Sequence, residues 1–232
     1  MKILITGSSG FIGGRIKKAL KGKYDLLTPD RNKLYETIEK GGFDFIIHCA
    51  WAGDSKKSTL VDIRENMILI SVLGDTLIPM IYFGSGIVYT DDQSDYAVAK
   101  SIVHNGLRDH VLNLTLFAVY GRGENPRRII PKTRKLKKIT IDQDQFFDAI
   151  HVSDVVKTVR YFLENRWKRN QYDLAAPPAH LLSEIPWILK KKYTIKKEGV
   201  KPSYIGNVSN LLQDTPLTFM TLEEGLKKYE TA

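Results

Sequence analysis

The fold of this chain is decided at its amino terminus, where residues 1–13 read MKILITGSSGFIG. The apolar run Lys2–Thr6 predicts a strand buried on both faces, because such strands carry continuous rather than alternating apolar residues. Glycines follow it at positions 7, 10 and 13, and a helix-like segment covers 13–22. Glycines at this spacing permit a tight turn, close approach of backbone amides to phosphate, and tight packing of helix on strand. The stretch therefore predicts a turn that holds a dinucleotide pyrophosphate.

Further along the chain, strand-like and helix-like segments alternate. Apolar runs predict strands at 24–28, 43–50, 80–85 and 112–117, and the segments between them predict helices at 32–40, 58–75 and 96–110. Such alternation is typical of an α/β protein with a parallel sheet and helices on both faces. We therefore expect a Rossmann-type doubly wound parallel sheet, whose ligands bind beyond the carboxyl ends of the strands.

The pattern changes near residue 120. Residues 1–120 predict a dinucleotide-binding Rossmann domain, whereas 121–232 are richer in Pro and Lys and predict mainly a small C-terminal substrate-binding lobe. Within this second part, 151–165 predicts a helix and 172–175 a strand. Residues 149–175 are therefore expected to return to the Rossmann domain.

Composition limits the classes of function. The 232 residues carry a net charge of +9, most of it after residue 120. That charge either attracts an anionic ligand such as a diphosphate or forms a solvated basic surface. No nucleic-acid-binding motif accompanies it, and no stretch approaches the roughly 20 apolar residues of a membrane span. We therefore expect no binding to nucleic acid or to a membrane. Because the chain has one cysteine, Cys49, it cannot form an internal disulfide, and we expect a cytoplasmic protein.

Asp30 and Arg31 follow the second predicted strand, where the ribose of a dinucleotide is expected. A carboxylate there accepts hydrogen bonds from ribose hydroxyls and repels a 2′-phosphate, whereas a guanidinium pairs with that phosphate. Only residues 32–42 precede the next strand, so the usual third strand is expected to be missing, and Asp30 contacts either the ribose or the adenine edge. The pair favours NAD, and NADP stays open.

Tyr96 and Lys100 lie four residues apart on a predicted helix, so their side chains share one face. A nearby ammonium lowers the pKa of a phenol because it stabilises the phenolate. Such a phenol can remove a proton from a carbinol, or return one to a ketone, while a hydride moves. Together with the glycine turn, the pair predicts redox chemistry at a carbinol carbon.

Eight segments follow one another in a known order along the chain. They are the glycine motif at 7–13, IHCA (47–50), Asn66, FGSGIVY (83–89), the Tyr96–Lys100 pair, LFAVYG (116–121), AIHVSDV (149–155) and TLEEGL (221–226). In this order they resemble the extended short-chain dehydrogenase/reductase family, which comprises nucleotide-sugar epimerases, dehydratases and 4-keto reductases. The resemblance implies that Ser85 hydrogen-bonds the reacting oxygen, that Tyr96 is the catalytic acid/base, and that catalytic Lys100 also bonds the nicotinamide ribose.

The resemblance also implies which residues hold the cofactor. They are Gly7, Ser9, Gly10, Phe11, Ile12, Gly13, Asp30, Arg31, Ala50, Trp51, Ala52, Asn66, Phe83, Gly84, Tyr96, Lys100, Phe117 and Val119. No group of His, Cys and Asp has the spacing of a metal site, so no metal is expected.

The two residues after Ser85 narrow the reaction. By resemblance, 4,6-dehydratases carry an Asp-Glu pair there, decarboxylases a Glu at the second position, and 3,5-epimerase/reductases a Cys at that position. This chain carries Gly86 and Ile87 instead, and an isoleucine side chain transfers no proton. We therefore expect simple hydride chemistry, which is 4-keto reduction, alcohol oxidation, or 4-epimerisation with retained NAD.

The implied substrate is a nucleotide-diphosphate sugar, bound by Ser85, Gly86, Arg122, Arg127 and Arg128. Arg127 and Arg128 either clamp the diphosphate, as paired guanidinium groups can, or form a solvated turn. Only residues 90–95 precede Tyr96, whereas the family has a longer loop over the sugar. The pocket is therefore expected to be open, so that it holds its sugar loosely, accepts a large sugar or uses a partner subunit as a roof.

Three functions remain open at this point. The first is an NAD(P)-dependent oxidoreductase acting at C4 of a nucleotide-linked sugar, and the second is a 4-epimerase of such sugars. The third, motivated by the short loop, is a dinucleotide-binding scaffold or sensor without catalysis. The resemblance further implies a homodimer through the helices at 58–75 and 96–110, which would form a four-helix bundle.

Overall fold

The computed structural model describes residues 1–53 and 58–229. Its strands and helices, in chain order, are β1 (Lys2–Thr6), α1 (Phe11–Leu20), β2 (Asp25–Leu27), α2 (Leu34–Lys40), β3 (Phe45–His48), α3 (Leu60–Asp75), β4 (Met80–Ser85), α4 (Asp95–Gly106), β5 (Val111–Leu116), β6 (Ala118–Tyr120), α5 (Ile129–Lys135), β7 (Lys138–Phe147), β8 (Ala149–His151), α6 (Val152–Glu164), β9 (Gln171–Leu174), β10 (His180–Leu181), α7 (Glu184–Ile188), β11 (Lys192–Lys201), α8 (Ser209–Asp214) and α9 (Leu222–Lys228). Short 3₁₀ turns cover Arg31–Lys33 and Gly86–Tyr89.

A six-stranded sheet with the order β2-β1-β3-β4-β5-β9 forms the centre of the fold. β1 pairs in parallel with β2 and β3, and β3 pairs in parallel with β4. Ile3, Leu4 and Ile5 of β1 have no exposed surface, which explains why this strand carries a continuous apolar run. The prediction of a Rossmann-type parallel sheet flanked by helices is confirmed. β2 lies at the edge of this sheet, as expected from the short connection over 32–42.

The ends of several elements differ from the predicted ones. α1 begins at Phe11, two residues before the predicted start, because Gly10 is its N-cap residue. α3 begins at Leu60 behind a capping box in which the Thr59 side chain accepts from the amide of Asp62. The helix predicted over 96–110 covers Asp95–Gly106, since the backbone becomes extended at Leu107.

The chain forms two compact units. The first comprises Met1–Thr115 and Val156–Tyr172, and the second comprises Leu116–Val155 and the residues from Asp173 onward. The first unit therefore ends at Thr115 rather than at 120, and the returning segment is shorter than 149–175. Sequence patterns place such a boundary imprecisely because β5 leads almost directly into β6.

The second unit contains two small sheets. β7 pairs in antiparallel fashion with β10 and in parallel with β11, and β6 pairs in parallel with β8. Ile139 and Ile141 of β7 are buried while their neighbours along the strand are exposed. This period of two is typical of a half-buried strand, and the sequence analysis did not single it out.

Candidate active site

The glycine turn after β1 leaves no room for side chains at its two ends. Gly7 has a φ of +65°, and a Cβ built on it would lie 2.7 Å from the amide nitrogen of Ala50. A Cβ on Gly13 would overlap the carbonyl oxygen of Gly7. We call residues 7–13 the glycine cradle. Its end glycines let β1, α1 and the loop after β3 approach one another closely.

The amino end of α1 has the properties of an anion site. The first amides of a helix lack partners within the helix, and the helix dipole favours negative charge there. Gly10, the N-cap residue, contributes no side-chain hydrogen bond, and the first turn holds no acidic residue. The glycine cradle therefore fits the pyrophosphate of a dinucleotide.

A cleft of about 560 Å³ extends from the glycine cradle. Many residues assigned to the cofactor from the sequence line it, namely Gly7, Ser9, Gly10, Asp30, Arg31, Ala50, Trp51, Ala52 and Asn66. Its lining also includes residues that were not predicted, which are Ser8, Pro29, Leu34, Tyr35, Cys49, Glu65 and Leu69. The sequence analysis missed these seven residues because a sequence motif identifies its own positions and does not identify the residues that lie beside them in the fold.

Five other residues assigned to the cofactor, from α1 and β4, lie outside this lining. Phe11, Ile12 and Gly13 form the first turn of α1, at the carboxyl end of the glycine cradle. Phe83 is a buried core residue of β4, and a Cβ on Gly84 would lie 2.5 Å from Oδ1 of Asn113. A side chain at position 84 would therefore force the Asn113 side chain of β5 to shift.

Arg31 is paired with an acidic residue that the sequence analysis missed. Its guanidinium forms an ion pair with the Glu65 carboxylate of α3, and both side chains are substantially exposed. The carboxylate partly neutralises the charge that Arg31 can offer to a phosphate. Helix periodicity does not reveal this partner, because the contact joins residues 34 positions apart.

Asn66 fixes one wall of the cleft through the backbone of Ala52. Its Oδ1 accepts from the Ala52 amide at 2.8 Å, and its Nδ2 donates to the Ala52 carbonyl at 3.0 Å. The asparagine is buried, so both hydrogen bonds are shielded from water. This two-way contact holds the loop after β3 against α3.

Tyr96 and Lys100 share one face of α4, as the sequence predicts. The Lys100 amine donates to the hydroxyl of Tyr82 at 3.0 Å and lies 3.4 Å from the centre of the Trp51 ring. It also lies 6.0 Å from the centre of the Tyr96 ring. Lys100 is only 5% exposed, and burial lowers its pKa to about 7. Neither Tyr82 nor the stacking of Trp51 was predicted.

The Trp51 ring covers the amine of Lys100, the residue that the resemblance assigns to the nicotinamide ribose. The same ring also packs edge-on against the Tyr96 ring, with the centroids 5.9 Å apart. Lys100 is almost fully enclosed, and the Trp51 ring over its amine lines the cleft, whereas Lys100 does not.

Ser85 ends β4 at the start of the 3₁₀ turn. Its Oγ accepts from the Ile87 amide at 3.4 Å, so its own proton can be donated to a substrate oxygen. The turn packs against α4, which carries Tyr96 and Lys100. The structure therefore brings the three predicted catalytic residues into one region of the first unit.

Gly86, predicted to bind the substrate, begins the 3₁₀ turn after Ser85 in the first unit, and the remaining predicted residues belong to the second unit. Arg128 donates from Nη1 to the Val119 carbonyl at 2.9 Å, and its Nε lies 3.8 Å from the buried carboxylate of Glu124. Burial raises the pKa of Glu124 to about 7. Arg122, Arg127 and Arg128 are all exposed.

Phe117 and Val119 contact residues of their own unit. The Phe117 ring packs against the Tyr204 ring, with the centroids 5.9 Å apart. Val119 is 4% exposed. The roles predicted for both residues toward the cofactor stay predictions.

The described part of the chain holds neither a metal cluster nor a membrane-spanning helix. Within residues 1–53 and 58–229, no group of three or more His, Cys, Asp and Glu side chains is arranged to hold a metal ion. No helix in those ranges is long and apolar enough to cross a membrane.

The one cysteine of the chain, Cys49, lies in the cleft lining. Burial raises the pKa of the Cys49 thiol, which keeps this cysteine protonated at neutral pH.

Comparison with known proteins gives matches along most of the chain. The model of the NAD dependent epimerase/dehydratase family matches residues 3–175. An ADP-L-glycero-D-manno-heptose-6-epimerase from Brachyspira hyodysenteriae is 24% identical, over 98% of this chain and 96% of its own. A solved dTDP-4-dehydrorhamnose reductase from Clostridium acetobutylicum aligns with a TM-score of 0.76 at 18% identity, over 99% and 98% of the two chains. The corresponding reductase from Bacillus anthracis, solved with NADP, aligns with a TM-score of 0.76 at 15% identity, over 98% of each chain.

The alignment with the heptose epimerase also shows where lengths differ. It extends over 307 positions, whereas this chain has 232 residues. The relative therefore carries insertions that this chain lacks, although the match runs nearly from end to end. The short segment before Tyr96 is consistent with this difference.

Proposed function

Because the chain belongs to the NAD-dependent epimerase/dehydratase family, we propose that it is an NAD(P)-dependent oxidoreductase acting on a nucleotide-linked sugar, by 4-keto reduction or alcohol oxidation. The observation that carries this proposal is the contact of Lys100 and Tyr96 with one indole at the wall of the cleft. The single cysteine supports a reducing compartment, and we place the reaction in the cytoplasm.

In this proposal, Tyr96 exchanges the proton of the sugar oxygen and Ser85 donates a hydrogen bond to that oxygen. The bound dinucleotide supplies or accepts the hydride. Lys100 in its charged form stabilises the Tyr96 phenolate. Since the pKa of Lys100 is about 7, its charged fraction, and with it this stabilisation, falls as the pH rises through neutrality.

The turn after Ser85 supports hydride transfer without elimination. Dehydration needs a second acid or base to move a proton at a neighbouring carbon. In this chain Gly86 has no side chain, and the Ile87 side chain is apolar. We therefore exclude dehydration from the proposal.

The adenosine end of the cleft supports NAD over NADP. A 2′-phosphate bound there would have to compete with Glu65 for the guanidinium of Arg31, and it would be repelled by Asp30. Both acidic residues line the same cleft as Arg31. We propose NAD as the preferred cofactor, with NADP as the alternative.

A 4-epimerase is the second candidate, and the relative at 24% identity, a heptose-6-epimerase, favours epimerisation in general. An epimerase returns the hydride to its substrate, so it retains its cofactor through both half-reactions. A scaffold or sensor is the third candidate, and the short segment before Tyr96 favours it, since it leaves the expected sugar pocket open. The three candidates predict different fates for the reduced cofactor.

The decisive experiment incubates the purified protein with NADH or NADPH and a panel of 4-keto nucleotide sugars. The proposal predicts one-way oxidation of the cofactor and a product reduced at C4, identified by mass spectrometry. Stoichiometric NAD retained through purification, with interconversion of sugars and no net cofactor consumption, would indicate the epimerase. Cofactor binding by calorimetry without turnover of any sugar would contradict both enzymes and support the scaffold.

We further propose that the second unit binds the nucleotide part of the substrate. Arg122, Arg127 and Arg128 are the candidate ligands, since guanidinium groups pair with diphosphate oxygens. The hydrogen bond of Arg128 to the Val119 carbonyl supports its selection, because an oriented guanidinium loses less freedom on binding.

A homodimer through α3 and α4 is proposed from the apolar surface of these helices. Ile68 and Ile102 are 43% and 52% exposed, and Val98 is 43% exposed. A groove of about 240 Å³ between the helices is lined mainly by apolar residues such as Met67 and Leu107. We expect light scattering to give a dimer for the natural chain and a monomer for Ile68→Lys/Ile102→Lys. A monomeric natural chain at assay concentration would refute the proposal.

A further inference from the structure

Three buried polar residues form a row across the centre of the sheet. Thr6 of β1 is the register partner of His48 of β3, and His48 is the register partner of Tyr82 of β4. Each is only 1% exposed. We call these three residues the polar row. Polar residues at matched positions of three adjacent strands are unusual within a sheet whose other residues are mostly apolar.

The polar row is connected from end to end. Oγ1 of Thr6 accepts from the Ala50 amide at 3.2 Å and lies 2.7 Å from Nδ1 of His48. The His48 ring stacks on the Tyr82 ring, with the centroids 5.9 Å apart and the planes at 18°. Tyr82 then accepts the hydrogen bond from Lys100. The row therefore links the strand before the glycine cradle to the amine of α4.

Stability of the sheet does not by itself require polar side chains at these positions. Apolar side chains of similar shape can replace buried polar pairs with little or no loss of stability. A phenylalanine at position 82 would keep the ring stacking on His48 and lose only the hydroxyl. In the described contacts, the hydrogen-bond partner of that hydroxyl is Lys100.

We propose that Tyr82 is a positioning residue, whose hydroxyl holds the Lys100 amine in place for Tyr96 while His48 and Thr6 brace the Tyr82 ring. The proposal rests on the proposed roles of Tyr96 and Lys100. Among residues 1–53 and 58–229, the titratable groups that face this amine are His48, Tyr82 and Tyr96.

The protonation states of these neighbours define what Tyr82 does. Burial, together with the Lys100 charge, lowers the pKa of His48 to about 3, so the imidazole is neutral. Burial raises the pKa of Tyr82, so its phenol stays protonated and its oxygen accepts. An acceptor of this kind favours the charged form of a lysine. Tyr82 thus opposes the burial that favours the neutral amine.

The test follows the ionisation of Lys100 in cofactor-free protein. The Cε chemical shift of Lys100, assigned by its loss in Lys100→Met, is recorded against pH in the natural chain and in Tyr82→Phe. Loss of the acceptor is expected to lower the titration midpoint by about one pH unit. The matched control is Tyr172→Phe, which removes another buried hydroxyl, one that accepts from the Arg169 amide, and is expected to leave the midpoint unchanged. Equal midpoints in the natural chain and Tyr82→Phe would overturn the proposal.

A second measurement needs no substitution of Tyr82. The Cζ shift of Tyr82, in protein labelled on tyrosine, is expected to change at the Lys100 midpoint and to lose that change in Lys100→Met. If the Tyr82 Cζ shift does not change at the Lys100 midpoint, the hydrogen bond is absent and the proposal fails. This measurement applies even if the Tyr82→Phe variant does not fold.

Turnover supplies the link to the reaction. Once a substrate is identified, Tyr82→Phe is expected to lower kcat about tenfold or more, with KM and dinucleotide affinity unchanged. The pH limb that reports Tyr96 ionisation should move to higher pH, because less charged lysine remains to stabilise the phenolate. If this limb of the pH–rate profile does not move in Tyr82→Phe, Tyr82 has only a structural role. The titrations above do not depend on turnover, so failure of the proposed function and failure of this inference remain distinguishable.

Discussion

Tyr96→Phe is expected to lower kcat by about 10²–10⁴-fold, which is the usual contribution of a positioned acid or base. The substitution removes the proton that the phenol exchanges and keeps the ring that packs against Trp51. Binding of the dinucleotide should therefore be retained. The measurement is steady-state turnover with the sugar identified in the panel, alongside calorimetry of the cofactor.

The control for this variant is Tyr24→Phe, which removes an exposed hydroxyl that donates to Glu164 in the same unit. It should leave both kcat and cofactor affinity unchanged. Undiminished turnover in Tyr96→Phe would remove Tyr96 from the chemistry. An equal fall in both variants would point to loss of folded protein instead of a lost acid.

Gly13→Ala is expected to weaken dinucleotide binding by about a hundredfold, the cost of roughly one or two hydrogen bonds to a charged group. The new Cβ would overlap the carbonyl oxygen of Gly7. Either α1 moves away from the glycine cradle or the cradle opens, and both changes displace the amides that would hold the pyrophosphate. Overpacking of this kind also lowers the free energy of unfolding by about 1–3 kcal/mol.

The neighbouring glycine supplies a matched control. A Cβ on Gly14 would lie 3.4 Å from the Ser8 carbonyl oxygen, which is ordinary contact. Gly14→Ala is expected to keep cofactor affinity and to raise the free energy of unfolding by about 0.5–1 kcal/mol, since alanine is the better helix former. Calorimetric titration with NAD and chemical unfolding report the two quantities. Equal affinities in the two variants would contradict the assigned role of Gly13.

Much of the first unit could be predicted because its signals are local. β1 follows from a continuous apolar run, and the turn after it follows from glycine spacing. Tyr96 and Lys100 could be paired from their spacing alone, because residues four apart share a helix face. The second unit was harder to predict. Its strands β7 and β11 pair in parallel, and parallel strands are connected by long crossovers instead of the short turns that a sequence reveals.

Within the candidate site, the partners of the predicted residues could not be read from the sequence. The Glu65 partner of Arg31 and the Ala52 partner of Asn66 come from other elements. A motif marks a residue type at a position but does not specify the direction of its side chain or the groups beside it. Asn66 was assigned to the cofactor, and its described hydrogen bonds are to the Ala52 backbone.

The sequence by itself determined the parallel sheet, the glycine cradle, the family and the Tyr96–Lys100 pair, because each depends on spacing along the chain. Only the tertiary structure decided the surroundings of the Lys100 amine. Tyr82 and Trp51 reach it from β4 and from the loop after β3, and parallel strands bring such residues together across long intervening segments. The environment that lowers the pKa of Lys100 is built by this packing, and no spacing in the sequence encodes it.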